Sequence, residues 1–334
     1  QVEISGNLYT TLEERHEEAR LAAASSIPDV RILSDAAIPH QPVQNDKPMI
    51  VLLAFAGALG LGIVGAVLRD RLDPRLRYPD QVTSEFGLPI LGALPQAGKG
   101  TNPDSEIAAQ LVESFRSLRL NMIHAHGAGP VVVTVTSPGS GDGKSFVSMN
   151  LAVAFGDLGL RTLLVDGDIR RGVVQKLIGG EPGLGLTNHL NDDVPLESII
   201  SRTDYKKLDL IPAGSRLTRG PELLGSPRMR EMMLELRRRY DVILVDSPPL
   251  AAGADPYQLG TLTGAMLIVL RTGETDRPLA HAKLELLDRL PIRILGAALN
   301  SVPNAGVYRY YSYLSEYALT LPEQTDGALP AGVG

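Results

Sequence analysis

The apolar residues of this chain form one long run and several short ones. The long run, MIVLLAFAGALGLGIVGAVL at residues 49–68, contains twenty residues and no charge. At about 1.5 Å per residue, a helix of this length spans the hydrocarbon core of a bilayer. A buried helix of a soluble protein is the alternative, but such helices rarely continue this far without a polar position. The pattern predicts a transmembrane helix over 49–68.

The charges beside the long run predict its orientation. Four arginines follow it between Arg69 and Arg77, whereas the twenty residues before it contain only Arg31 and Lys47 as basic residues. Basic residues accumulate on the cytoplasmic side of a membrane helix. We therefore expect residues 1–48 outside the cytoplasm and the chain from Arg69 onward inside it.

The residues before the long run divide into two segments. Residues 1–24 are polar and charged, which is typical of a helix on a surface or in a coiled coil. Residues 25–48 contain four prolines. Because proline interrupts helices, this second segment is predicted to be an extended connector.

The short apolar runs lie beyond a linker that we expect at residues 69–104. Helical patterns separate most of them, among them one helix over 222–239 and another over 278–290. Apolar strands that alternate with helices are typical of a parallel sheet with helices on its faces. The sequence therefore predicts an α/β domain over 105–303. Its strands are expected at 131–136, 162–166, 208–212, 242–246, 265–270 and 294–300.

Composition and charge exclude several classes of function. Acidic residues outnumber basic ones by 38 to 32, and the net charge of −6 argues against a chain that coats nucleic acid. The sequence has no cysteine, which excludes disulfides, iron–sulfur clusters and cysteine nucleophiles. Aromatic residues are few, yet five tyrosines lie between Tyr308 and Tyr317. That cluster requires its own explanation.

A glycine-rich loop follows the first predicted strand of the α/β domain. Residues 137–145 read SPGSGDGKS and precede a helical pattern. A strand, such a loop and a helix form a phosphate site, in which backbone N–H groups and the helix N-terminus hold the anion. Lys144 would reach the β- and γ-phosphates and the Ser145 hydroxyl would bind Mg²⁺, although the strict motif has glycine in place of Pro138. The expected nucleotide contacts are Gly139, Ser140, Gly141, Asp142, Gly143, Lys144, Ser145 and Phe146.

Two acidic motifs end other predicted strands. They read LLVDGDIR at 163–170 and ILVDSPP at 243–249. In an open parallel sheet, ligands bind beyond the carboxyl ends of the strands. Asp166, Asp168 and Asp246 are therefore expected to converge on the metal–nucleotide end of the loop, although a single aspartate after a strand is often only a turn former.

These three motifs resemble the Walker A, Walker A′ and Walker B motifs of the bacterial tyrosine kinases that are fused to polysaccharide co-polymerases. The resemblance covers nearly the whole chain, and it identifies residues 1–48 as the end of a chain-length-determinant domain and 304–334 as a tyrosine-rich tail. The proline motif before the membrane helix matches only in part, with Lys47-Pro48-Met49 where Ser-Pro-Lys is usual. Partitioning and division-site ATPases are related, but they have a signature lysine where this chain has Gly139.

The resemblance implies a P-loop NTPase-type fold, ATP and Mg²⁺ as cofactors, and phosphoryl transfer to tyrosine. It implies that Lys144 acts in catalysis and that Ser145, Asp166, Asp168 and Asp246 surround the metal ion. Asp166 or Asp168 would accept the proton of the tyrosine hydroxyl, and the sequence does not divide the roles between these two.

Further residues match positions that the family uses around the nucleotide and in its tail. Asn300 matches the position that reads the adenine edge, with a plain turn residue as the alternative, and Arg170 would orient the acidic loop. The tail resembles the cluster that neighbouring subunits phosphorylate; packing on the domain surface is the alternative for its tyrosines. The expected phosphate acceptors are Tyr308, Tyr310, Tyr311, Tyr313 and Tyr317.

The pattern Glu113-x-x-Arg116-x-x-Arg119 is similar to the one that the family places in its subunit interface, although a surface ion pair of little energy is the alternative. The resemblance thus implies a ring of cytoplasmic domains that phosphorylate one another at the inner membrane. It also implies a polysaccharide polymerisation and export machinery and a protein-tyrosine phosphatase as partners. No nucleic acid partner is expected.

Two other functions remain open from the sequence. The chain could be a non-catalytic chain-length regulator that binds ATP only as an assembly switch. It could also be a membrane-tethered ATPase that releases phosphate to water. The tyrosine cluster is the feature that favours the kinase over this ATPase.

Overall fold

The computed structural model describes residues 2–25, 46–96, 106–178, 183–215 and 220–303. The tail tyrosines and most of the proline-rich connector lie outside these ranges, so the predictions made for them are untouched. The described chain forms two compact units, which divide between Asp70 and Arg71.

The first unit contains the helix α1 (Val2–Ala24) and all but the last two residues of the helix α2 (Lys47–Leu72). Helix α2 contains the whole predicted run of 49–68 and continues for one further turn into the arginine-rich residues. None of its side chains is buried. Among the described residues it is the one helix long and apolar enough to cross a membrane.

The second unit is built on an eight-stranded sheet. Going across it, the strand order is β1-β8-β7-β2-β6-β3-β5-β4. Only the short edge strand β4 runs antiparallel to its neighbour; the other paired strands are parallel. The strands are β1 (Ile90–Pro95), β2 (Val131–Thr136), β3 (Thr162–Asp166), β4 (Ser201–Arg202), β5 (Leu208–Ile211), β6 (Val242–Asp246), β7 (Ala265–Arg271) and β8 (Arg293–Val302).

Helices connect most of the strands, as a parallel sheet requires. The described helices of this unit are α3 (Pro79–Glu85), α4 (Glu106–His126), α5 (Lys144–Asp157), α6 (Val174–Leu177), α7 (Leu186–Asn191), α8 (Leu196–Ile199), α9 (Gly220–Leu224), α10 (Pro227–Arg239), α11 (Asp255–Thr263) and α12 (Arg277–Leu287).

The central strands are buried on both faces because successive side chains point to opposite sides of the sheet. Val133 and Leu244 belong to a core that α4 and α5 cover. Val132 and Ile243 belong to a core on the other face, to which α10 and α11 contribute. The predicted α/β fold with a parallel sheet between layers of helices is confirmed.

The expected linker at 69–104 is structured over part of its length. It contains α3 and the strand β1, which pairs with β8 at one edge of the sheet. The glycines and prolines of this segment indicate turns in the sequence. Gly92, however, lies within the strand β1, where its lack of a side chain is required. A Cβ at Gly92 would lie 3.0 Å from the Cβ of Leu118, so glycine lets α4 pack closely on the strand.

The single helix predicted over 222–239 is two helices, α9 and α10. Ser226 ends the break between them: its Oγ accepts the backbone N–H of Met229 at 3.2 Å, and Pro227 occupies the first turn. A capping serine followed by proline is a strong helix start. The apolar periodicity had concealed this start.

Candidate functional site

Three neighbouring central strands bring the sequence motifs together at the carboxyl ends of the strands. Strand β6 lies between β2 and β3, and all three run parallel. Asp166 and Asp246 are direct register partners at the ends of β3 and β6. The glycine-rich loop continues from the end of β2. The expected convergence at the carboxyl ends of the strands is therefore present.

The glycine-rich loop ends at the first residue of α5. Gly141 and Gly143 have φ angles of 96° and 89°, in the left-handed region that glycine tolerates best. At Gly143, moreover, a Cβ would lie 2.1 Å from Nδ2 of Asn300. The close approach and the backbone conformation together require glycine immediately before the helix N-terminus, where an anion is stabilised.

Lys144 lies between two carboxylates at the start of α5. Its Nζ is 3.1 Å from Oδ2 of Asp168 and 3.6 Å from Oδ2 of Asp246. The lysine side chain is only 12% exposed. Because an unpaired buried ammonium is costly, the two carboxylates hold the lysine at this end of the loop.

Ser145 and Ser148 hold the two oxygens of Asp246. The Ser145 hydroxyl donates to Oδ2 at 2.6 Å, and the Ser148 hydroxyl donates to Oδ1 at 3.0 Å. Burial raises the pKa of the Asp246 carboxyl, and the charge of Lys144 together with the two hydroxyl groups opposes that rise. Ser145 was predicted for this site, whereas Ser148 was not.

Asp166 is fully buried and accepts two backbone hydrogen bonds. Its oxygens accept the N–H of Asp168 at 3.2 Å and the N–H of Val174 at 3.1 Å. Burial raises the pKa of Asp166 to about 7, and the negative charge of Asp246 adds to the rise. Asp166 therefore shapes the chain between Asp168 and Val174 and changes its charge near neutral pH.

These residues fit a divalent cation. Asp166, Asp168 and Asp246 are almost completely buried, and Lys144 is the cation that pairs with the last two. Burial is the main cause of the raised pKa of Asp166, and the negative charges of Asp246 and Asp168 add to it more than Lys144 offsets. Mg²⁺ prefers hydroxyl, carboxylate and phosphate oxygens. Ser145, Asp168 and Asp246 have oxygens suited to hold it, next to a loop suited to phosphates.

Two predicted nucleotide contacts have other partners in the structure. Nε of Arg170 donates to the buried Asp255 at 2.9 Å, at the start of α11. The ring of Phe146 packs edge-on against the ring of Phe115 at 5.9 Å between centroids. The side chain of Arg170 thus bonds to α11 and that of Phe146 packs on α4. At Phe146 the backbone is the part that lies at the start of α5, next to the glycine-rich loop.

Asn300 contacts the glycine-rich loop. Its Nδ2 donates to the carbonyl oxygen of Asp142 at 2.9 Å, and its Oδ1 accepts the N–H of Ser301 at 2.9 Å. This side chain is more than a plain turn former, because it supports the loop next to Gly143. Its predicted contact with adenine stays a prediction.

The predicted interface residues lie on α4. Arg116 donates to Glu113 at 3.1 Å, and the Arg116 side chain is largely exposed. Arg119 differs, since its guanidinium donates to the carbonyl oxygen of Ala154 on α5 within the same chain. The role of all three in a subunit interface stays a prediction.

Two residues that hold the glycine-rich loop were not predicted from the sequence. They lie at the end of β7 and in the turn after it. Thr275 donates to Asp142, and Arg271 donates to the carbonyl oxygen of Gly141. Arg271 is the last residue of β7 and Thr275 lies in the turn that follows, at the carboxyl ends of the strands. The rule that selected the three aspartates also applies there, so this position was the available signal.

Comparison with known proteins assigns the chain to a family. Residues 1–71 match the family described as "G-rich domain on putative tyrosine kinase", and residues 131–269 match the family described as "AAA domain". The solved BceF tyrosine kinase domain is 30% identical, with a TM-score of 0.60; the match covers 69% of this chain and 100% of that one. The chain belongs to the bacterial tyrosine kinases.

Other bacterial tyrosine kinases agree with this assignment. The solved kinase domain of Escherichia coli ETK is 26% identical, with a TM-score of 0.64, over 69% of this chain and 96% of that one. EpsB of Ralstonia nicotianae, named a putative tyrosine-protein kinase, is 30% identical over 95% of this chain and 44% of its own length. The chain thus spans about half the length of the curated relatives that it matches.

Proposed function

We propose that this chain is an ATP-dependent protein-tyrosine kinase that phosphorylates the tyrosine cluster of neighbouring copies. One observation carries the proposal: at the end of the glycine-rich loop, Lys144 lies between Asp168 and Asp246, with Ser145 bonded to Asp246. Cation, hydroxyl and carboxylates are the groups that a metal-bound nucleoside triphosphate requires. The sequence of the tail, residues 304–334, contains the five tyrosines that would accept the phosphate.

The proposed reaction transfers the γ-phosphoryl group of ATP to a tyrosine oxygen. The bond between that oxygen and the γ-phosphorus forms, the bond from the γ-phosphorus to the bridging oxygen breaks, and ADP leaves with the electron pair. The tyrosine proton passes to a carboxylate, since the phenol has a pKa near ~10. Lys144 and the loop N–H groups stabilise the phosphate charge. Bound Mg²⁺ would neutralise further charge on the phosphates.

We assign the proton acceptor to Asp168. Its Oδ2 contacts Lys144, the side chain expected at the terminal phosphates. The pKa of Asp166, near 7, also suits a base. However, both oxygens of Asp166 accept backbone N–H groups, whereas Asp168 accepts a backbone N–H, that of Arg171, only at Oδ1 and has Oδ2 on Lys144. Reach to the substrate comes before pKa in choosing a base.

The wider setting of the proposal is the bacterial inner membrane. Helix α2 would cross it, with residues 1–48 outside and the kinase domain in the cytoplasm, as the arginines after the helix favour. The cytoplasmic domains would form a ring through Glu113, Arg116 and Arg119. Polysaccharide polymerisation and export would be the regulated process, and a protein-tyrosine phosphatase would reverse the modification.

The proposed switch is charge repulsion between phosphorylated tails, since each phosphate adds roughly −1.5 to −2. Replacing the five tail tyrosines with phenylalanine is expected to keep the ring assembled in ATP, as measured by analytical ultracentrifugation. An oligomer distribution identical to that of the parent chain would exclude this switch.

The kinase activity is tested by incubating the whole chain, in detergent, with Mg²⁺ and ATP and mapping phosphorylated residues by mass spectrometry. Phosphate is expected on residues 308–317. Lys144→Ala should abolish it, and Lys176→Ala, at an exposed lysine of α6, should not. Asp168→Asn should lose transfer if Asp168 is the proton acceptor, and it should retain ADP binding measured without Mg²⁺.

The other functions predict different results in the same assay. Bound ATP with unmodified tyrosines and no free phosphate would indicate the non-catalytic regulator. Accumulating free phosphate with unmodified tyrosines would indicate the ATPase. Either result would overturn the kinase proposal.

A further inference from the structure

Three side chains outside the sequence motifs hold the glycine-rich loop at Gly141 and Asp142. Nη1 of Arg271 donates to the Gly141 carbonyl oxygen at 3.1 Å, and Nδ2 of Asn300 donates to the Asp142 carbonyl oxygen at 2.9 Å. The Thr275 hydroxyl donates to Oδ1 of the Asp142 carboxylate at 2.7 Å. Of the three, Thr275 is the one that contacts a side chain of the loop.

The Thr275 hydroxyl lies within a directed chain of hydrogen bonds. It accepts the backbone N–H of Arg271 at 2.7 Å, which orients its own proton toward Asp142. The other oxygen of Asp142 accepts the N–H of Gly139 at 3.1 Å. The chain therefore connects the end of β7 to the beginning of the loop through one hydroxyl and one carboxylate.

Burial makes this connection important. Thr275 and Asp142 are each 3% exposed. Burial raises the pKa of the Asp142 carboxyl, and the hydrogen bonds from Thr275 and Gly139 oppose that rise. Without the hydroxyl, Oδ1 of Asp142 would lose its donor in a buried place. A buried acceptor without a donor is costly, so the carboxyl would turn or take up a proton and release Gly139.

The backbone of Thr275 is fixed from its other side by the residues that precede α3. Leu76 donates its N–H to the Thr275 carbonyl oxygen at 2.8 Å, and Gly273 donates to the Leu76 carbonyl oxygen at 2.7 Å. Arg277 donates its N–H to Pro74 at 2.8 Å. The hydroxyl thus has a fixed support from which to hold the loop.

We propose that Thr275 is a positioning residue of the nucleotide site. Its hydroxyl, acting through Asp142, holds the glycine-rich loop in the conformation that receives phosphates, and Thr275 itself does not touch the nucleotide. The inference rests on the proposed binding of nucleotide at this loop. It adds to the site a residue that lies 130 positions beyond Ser145 and outside the three motifs.

The test compares two substitutions of Thr275 in the whole chain, in detergent. Thr275→Val removes the hydroxyl and keeps the shape, whereas Thr275→Ser keeps the hydroxyl. Isothermal calorimetry with Mg²⁺ and ADP measures affinity without relying on activity. The valine variant should bind about tenfold more weakly, which corresponds to about 1.4 kcal/mol and is typical of a lost buried hydrogen bond. The serine variant should stay within about twofold of the parent.

Further readouts separate positioning from general loss of structure. The valine variant should raise KM for ATP more than it lowers kcat, and its unfolding temperature without nucleotide should stay within about 2–4 °C of the parent. If this variant does not fold, Thr275→Ala, which leaves more room, takes its place.

Several outcomes would overturn the inference. A valine variant that binds ADP like the parent would exclude a role for the hydroxyl. A serine variant that loses as much affinity as the valine variant would show that packing matters instead. If the parent chain itself binds no ADP, the proposed nucleotide site fails and this inference falls with it; that result is distinct from the other two.

Discussion

Helix α2 and the central strands of the sheet are both continuous apolar runs, and they differ in what surrounds them. The strands β2 and β6 are five or six residues long and are buried at every position. Helix α2 is 26 residues long and none of its side chains is buried. Short runs are covered by helices of the same domain, whereas the long run has no protein cover in the described structure. Length, more than hydropathy, indicates which surroundings an apolar run requires.

The largest expected contrast comes from one substitution made in both regions. Leu244→Ala in β6 removes a fully buried side chain and should lower the free energy of unfolding by about 2–5 kcal/mol. Leu61→Ala in α2 changes a side chain that is 76% exposed and should alter domain stability by less than about 0.5 kcal/mol. Thermal unfolding of both variants in the same detergent measures the difference. Equal losses would contradict the distinction between the two runs.

Membrane insertion provides the second contrast, between two exposed leucines. Leu59→Arg in α2 should reduce the share of chain retained in carbonate-washed membranes, because arginine at the centre of a membrane helix costs about 2.5–3.5 kcal/mol. Leu234→Arg on the exposed face of α10 is the control and should leave that share unchanged. If both variants behave alike, α2 is not the membrane anchor.

The third prediction concerns pH and a polar residue at the end of a buried strand. The pKa of Asp166 is raised to about 7 in the folded chain, so the folded state holds a proton that the unfolded state loses near pH 4. Stability should therefore fall as pH rises from about 4 to about 7 and then level off. Without metal or nucleotide, we expect the unfolding temperature to drop by about 5–10 °C between pH 5 and pH 8.

Asp166→Asn should flatten that pH dependence, because asparagine does not titrate. Asp204→Asn, at an exposed position, should keep the slope of the parent chain. A parent chain whose unfolding temperature is unchanged across this range, or a full slope in the Asp166 variant, would contradict the assignment.

The smallest expected effect concerns α10, one of the helices that cover the strands. Ser226→Ala removes the cap of α10 and should cost about 1 kcal/mol, because the N–H of Met229 loses its acceptor. Ser198→Ala, at an exposed serine of α8, should change stability by less than about 0.5 kcal/mol. Urea unfolding resolves the difference. If both substitutions lowered the free energy of unfolding equally, the cap of α10 would contribute nothing specific to stability.

Much of the fold could be predicted because its central strands are pure apolar runs. β2, β3 and β6 begin and end at the predicted residues. The edge strand β1 was missed, since a glycine and a proline in six residues indicate turns when the partner strand is unknown. The start of α10 was missed because periodicity was weighed above the capping serine and its proline.

The site was predictable where residues lie next to one another in sequence. The glycine-rich loop and the aspartates after β3 and β6 follow from motifs and from the geometry of parallel sheets. Ser148 and Thr275 contact Asp246 and Asp142 only after folding. Such contacts depend on how α5 and the turn after β7 are placed. The position of Thr275 just beyond β7 marks it as a candidate, but no spacing in the sequence specifies its partner.

The position of β1 also determines where the kinase domain can be shortened. Strand β1 covers one side of β8, a ten-residue and mostly buried strand. A fragment that begins at Arg71 retains β1. A fragment that begins at Glu106 would leave the backbone groups of β8 unpaired on the side away from β7, which makes an exposed apolar edge and a template for aggregation. Poor solubility of the shorter fragment would then report a missing strand and not an intrinsically insoluble kinase.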